Sequence, residues 1–75
     1  MLPDNHHEHD RQFIKDTLSL LPLDKRLVAV SGYSRLYDKT INDQSLPPHR
    51  RENAARYECN TRLRAYVKAC TALTS

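Results

Sequence analysis

The chain holds one glycine, no tryptophan, one phenylalanine and two cysteines in 75 residues. A single Gly leaves few candidates for two-residue hairpin turns, and it excludes a glycine-rich loop able to cradle phosphate. No stretch approaches the roughly 18 consecutive apolar residues of a membrane span. The opening "MLPDNHHEHD" is polar and acidic, where a secretory signal needs a basic start and an apolar run. The expectation is therefore a cytoplasmic protein with no membrane partner. Cys59 and Cys70, eleven positions apart, would stand about 16 Å from each other on one helix, beyond disulfide reach. Both read as small, reduced core residues. The sequence also lacks a nucleophile beside a base and a paired-carboxylate site, so a non-enzymatic protein without cofactor is expected.

What is present is helix-forming and unevenly charged. Met1 to Asp24 carries five acidic residues against Arg11 and Lys15, whereas Lys25 to Ser75 carries ten basic against four acidic. The C-terminal two thirds is the part drawn to phosphates or to an acidic protein surface. Seventy-five residues form one domain near the lower limit at which a hydrophobic core holds without staples.

Residues 1–9 read as a polar flexible tail and 10–75 as a single helical domain, with helices over about 10–21, 23–41 and 48–73. In the first, Phe13, Ile14, Thr17, Leu18 and Leu21 recur at three- and four-residue spacing, and Pro22 ends it. In the second, Leu23, Leu27, Val30, Ser34, Tyr37 and Ile41 share a stripe expected to face the core. Gly32 lies roughly opposite, a weak spot or a point of close approach. "NDQSLPPHR", residues 42–50, is a loop of turn formers closed by a proline pair. In the third helix Ala55, Cys59, Leu63, Tyr66, Cys70 and Leu73 form the expected inner seam. The fold class is all-α, a three-helix bundle or a helical hairpin with a buttressing N-terminal helix. Val28 and Leu36 fall off the core stripe, and Ala54, Ala65, Ala69 and Ala72 make a smooth side strip. Such surface is either scattered exposure or the face of a partner or homodimer.

Opposite the seam, Asn53, Tyr57, Asn60, Arg64 and Lys68 fall along one outer face, with Arg56 at its edge. Three readings compete. The stripe is a solvated structural face, in which an asparagine bonds a neighbouring loop or a tyrosine hydroxyl from helix two. Or it is a protein-binding face, to which Tyr57 contributes a large amphipathic ring. Or it contacts nucleic acid through Arg50, Arg51, Arg62, Arg64 and Lys68, with asparagine and arginine reading bases. Against the last, the connection between helices two and three is longer than a helix-turn-helix wants. His6, His7, Glu8, His9 and Asp10 offer imidazoles and carboxylates at the polar tail; with only His49 elsewhere, no built metal site is expected.

"LPLDKRLVAVSGYSRLYDK" (Leu21 to Lys39) followed by "RRENAARYECNTRLRAYV" (from Arg50 or Arg51 to Val67) resembles a helical pattern of replication-region proteins of temperate tailed phages and related mobile elements. The family includes the non-catalytic N-terminal part of rolling-circle replication initiators. The matching positions are Pro22, Arg26, Tyr33 or Tyr37, Arg51, Ala55, Asn60, Leu63 and Arg64. The resemblance implies a small phage or prophage module working in a bacterial host. The histidine pair and motif tyrosine with which initiators cut DNA are missing, so nicking is not implied. The expected function is an accessory protein that binds a protein partner as inhibitor, adaptor or regulator of a host replication, transcription or defence factor. Small nucleic-acid binder and structural homodimer are the alternatives.

Overall fold

The computed structural model describes residues 1–74 and the side chains of residues 1–72. It is all-α: a 3-10 turn over Glu8–Asp10, then α1 (Arg11–Leu18), α2 (Leu23–Ile41) and α3 (Pro48–Thr74), with no strand among the described residues. The molecule measures 41 × 20 × 16 Å. Its long axis is that of α3, whose 27 residues rise about 40 Å.

Each boundary has a local cause. α1 closes at Leu18, three residues before the sequence expectation, because the chain tightens ahead of Pro22. Leu20 N–H donates to the Thr17 carbonyl and Leu21 N–H to the Leu18 carbonyl, the three-residue spacing of a 3-10 turn. Arg26 clamps that corner, donating from Nε to the Leu18 carbonyl (3.1 Å) and from Nη2 to the Leu21 carbonyl (2.9 Å). Helix ends leave carbonyls short of partners; Arg26 serves the Leu21 carbonyl and adds a second donor to that of Leu18, which already accepts from Leu21. After Ile41, Asn42 donates to the Asp38 carbonyl, and Asp43 accepts from the backbone and hydroxyl of Ser45 (2.9 and 2.6 Å). Those Ser45 bonds hold the Asp43 carboxyl below its ordinary range. Pro48 then opens α3 with the fixed backbone angle that suits a first helical position.

α2 and α3 form an antiparallel hairpin that meets along four-residue rows. Ala29, Tyr33 and Tyr37 of α2 pack with Ala55, Cys59, Leu63 and Val67 of α3. This corrects both expected stripes. Leu23 and Leu27 are 59% and 52% exposed, and the α2 core face lies about a fifth of a turn away, centred on Tyr33. Counting aliphatic residues misplaces it because two tyrosines bury more area than the leucines would. On α3 the row runs on to Val67, while Tyr66 and Cys70 are only partly buried; Leu73 lies outside the described side chains. Steps of four on both helices are the rows that interdigitate as ridges into grooves, not the alternating seam of a coiled coil.

α1 lies on one side of this hairpin and contributes Ile14 and Leu18, followed by Leu21. Where the sequence reads as a polar tail, residues 1–9 are laid against the same side. Pro3 is fully buried, and Leu2 packs on the core. Asn5 bonds Ser34 of α2, and His7 Nε2 stands 2.6 Å from the Glu52 carboxylate of α3.

Candidate functional site

The six outer-face residues of α3 divide into two sets. Arg56, Asn60 and Arg64 turn towards α1. Arg56 donates from Nε and Nη2 to the two carboxylate oxygens of Asp10 (2.9 and 3.0 Å), a bidentate pair in which Asp10 is only 8% exposed. The Tyr33 hydroxyl donates to Asn60 Oδ1 at 2.6 Å, which leaves the Asn60 amide free to stabilise the Asp10 carboxylate beside it. Arg64 lies over the Phe13 ring, 4.7 Å from its centroid. Hydrogen bonds from Arg56, and then Asn60, outweigh burial and hold the Asp10 carboxyl below its ordinary range. Burial raises the Tyr33 phenol, so it stays a neutral donor. The chain Tyr33–Asn60–Asp10–Arg56 thus ties α2, α3 and the start of α1 together, and every member is satisfied.

Asn53, Tyr57 and Lys68 are the second set and face solvent. Tyr57 is 69% exposed. With Thr61 and the edges of Arg56, Asn60 and Arg64, Asn53 and Tyr57 line a shallow polar hollow of about 260 Å³. The basic residues suggested for nucleic acid do not share a face. Arg50, Arg64 and Lys68 fall on the outer side of α3, Arg51 and Arg62 on the opposite flank. Arg51 donates to the Leu46 carbonyl, and Arg62 stands 4.0 Å from Glu58.

On that opposite flank no described residue covers the hairpin. Val28, Gly32 and Leu36 of α2 and Arg62, Leu63 and Tyr66 of α3 line a groove of about 240 Å³. Val28 lies off the core and exposed, as the sequence suggests, but Leu36 is partly buried and packs against the core, and the open gap at Gly32 has no sequence signal beyond the glycine itself.

The Cys59 thiol is buried, and the His6 and His7 rings are engaged in hydrogen bonds. Cys59 is 1% exposed, with Sγ 3.6 Å from the Tyr33 carbonyl, and burial pushes its thiol up to about 11. His6 Nδ1 donates to the Pro3 carbonyl, and His7 Nδ1 accepts from the backbone of His9. Among the described residues no group of three or more His, Cys, Asp or Glu is placed to hold a metal ion, and no helix is long and apolar enough to cross a membrane. No family model matches the chain, and neither a curated protein nor a solved structure matches it.

Proposed function

We propose that the protein is a non-enzymatic accessory protein of the phage or prophage type, which holds a protein partner against the outer face of α3 as an inhibitor, adaptor or regulator of a host factor. The observation that carries this reading is Tyr57, a large amphipathic ring with most of its surface in water beside a polar hollow. Tyrosine and arginine are the residue types that dominate binding energy at interfaces. Arg56 is fixed by Asp10 and Arg64 by Phe13, so the cations rimming Tyr57 are held before a partner arrives and lose less freedom on binding. Asn53, Asn60 and Lys68 supply the polar surround. The nucleic-acid alternative is weaker because its cations fall on two flanks, and no continuous track for a phosphate backbone results.

The test is co-purification from a bacterial host with Tyr57→Ala/Lys68→Ala. Both side chains are exposed, so the circular dichroism spectrum should not change. Loss of a partner held by the parent protein, at least about tenfold in affinity, is the expected result. Retention of every partner at parental levels would remove this face from the function.

A further inference from the structure

The groove on the far side of the hairpin plays no part in that reading. Along α2 the positions 25, 28, 32, 36 and 39 follow three- and four-residue steps and form one row. Its middle is apolar and open: Val28 is 59% exposed, and a Cβ built on Gly32 would meet nothing within 4 Å. Internal packing therefore does not require the glycine. A glycine in mid-helix is unfavourable, and what it permits here is the close approach of another backbone from outside. The row ends in two exposed cations, Lys25 and Lys39, about 21 Å apart along the helix axis. Neither is ion-paired among the described residues.

The opposite wall supplies Tyr66 and Arg62. The anions at the margins are Glu58, 4.0 Å from Arg62, Asp24, which acts on Tyr66, and Asp43, which Lys39 reaches electrostatically without an ion pair. These charges decide between occupants. A second copy related by a two-fold axis through Gly32 would set Lys25 of one chain against Lys39 of the other, and like charges facing across an interface are unfavourable. A helix bearing carboxylates meets cations at both ends of the row.

We infer that the groove between α2 and α3 docks an amphipathic helix of a partner protein, about four turns long, whose apolar ridge is flanked by acidic side chains. The ridge lies along Val28, Gly32 and Leu36, and the carboxylates reach Lys25, Lys39 and Arg62. This is helix-in-groove recognition. Because it uses the flank of α3 away from Tyr57, it stands or falls independently of the outer-face proposal.

Two fluorescein-labelled helical peptides of about 18 residues test it. They share one leucine ridge and carry either glutamate or lysine on its flanks; each is titrated against the full chain by anisotropy at low and high salt. The glutamate peptide should bind at least about tenfold more tightly at low salt, with the gap narrowing as salt screens the charges. Lys25→Glu/Lys39→Glu should reverse the order, Gly32→Leu should abolish binding by filling the groove, and Tyr57→Ala should change nothing. Amide shifts in an NMR titration should centre on Val28, Gly32 and Leu36. Equal binding of the two peptides, binding of neither, or shifts centred on Asn53 and Tyr57 would overturn the assignment. So would a dimer in light scattering that Val28→Glu dissolves, since the occupant would then be a second copy.

Discussion

The two sides of the α2–α3 hairpin are built on opposite plans. One is sealed by the first 21 residues, which bring Pro3, Ile14, Leu18 and Leu21 down onto the core and a fully satisfied polar network across its edge. The other has no such cover: its groove floor is apolar, its α2 row has a hole at Gly32, and its charges stand at the ends. The sealed side shows what a helix face of this protein needs in order to be closed, namely an apolar ridge plus charged groups of opposite sign. Asp10 supplies that charge to Arg56. On the open side, Lys25, Lys39 and Arg62 have no such counterpart from a covering helix.

The sharpest way to break the contrast is to truncate an equivalent aliphatic residue on each side. Ile14 is completely buried, and Ile14→Ala should destabilise by about 2–5 kcal/mol through lost transfer energy and a cavity. In a domain this small that is a large share of the total stability. Val28→Ala, on the open side, should stay within about 0.5 kcal/mol. Urea denaturation of both variants measures the difference; equal losses would mean that the groove is packed in the free protein.

The polar edge of the sealed side should show itself in acid. The Asp10 pKa is lowered from 3.8 by Arg56 and Asn60. A carboxylate depressed in the folded state adds stability that is fully present above its unfolded value and is lost as pH falls through the folded one. The protein should therefore lose stability as pH drops below about 4. Asp43, partly buried and lowered by Ser45, adds a smaller effect of the same sign. Asp10→Asn should flatten most of this limb, and Asp10→Ala should cost roughly 2 kcal/mol near neutrality by stripping charged hydrogen bonds. At the other extreme, Cys59, pushed up to about 11, keeps its proton longer folded than unfolded, so stability should decline as pH rises past 9. Thermal melts across pH check both limbs; an Asp10→Asn protein with an unchanged acid limb would mean that the Arg56 pair is not formed.

Helix number and most boundaries were legible because prolines and turn formers act locally: Pro22, Asn42, Asp43 and Pro48 each do in the structure what their chemistry predicts. Most of the α3 inner face was legible too, through Ala55, Cys59 and Leu63 but not Val67, whereas on α2 only Tyr37 of Ala29, Tyr33 and Tyr37 was. The rest depends on partners distant in sequence. Asp10 meets Arg56 across 46 positions, and nothing in the spacing of "HHEHD" selects that arginine. Leu23 and Leu27 look like core residues by periodicity alone, yet α1 packs on a different flank. Asn60 is the intermediate case: an asparagine bonding a tyrosine hydroxyl on helix two was one open reading, but nothing in the spacing selected Asn60 for Tyr33 or placed it beside Asp10.

A further small effect tests the open side alone. Gly32 occupies mid-helix in α2, and no atom would obstruct a methyl group there. Gly32→Ala reduces the freedom of the unfolded chain and improves helix propensity, so it should stabilise by about 0.5–1 kcal/mol. For a domain of this size that is a rise in Tm of roughly 2–8 °C. The gain should coincide with weaker binding of a glutamate-flanked helical peptide, because the added methyl occupies the space where its backbone would approach. A variant both more stable and less able to bind would separate what the groove does for recognition from what it does for folding. If Gly32→Ala instead destabilised the chain, something within the fold would have to fill the gap, and the two sides of the hairpin would be less different than their geometry implies.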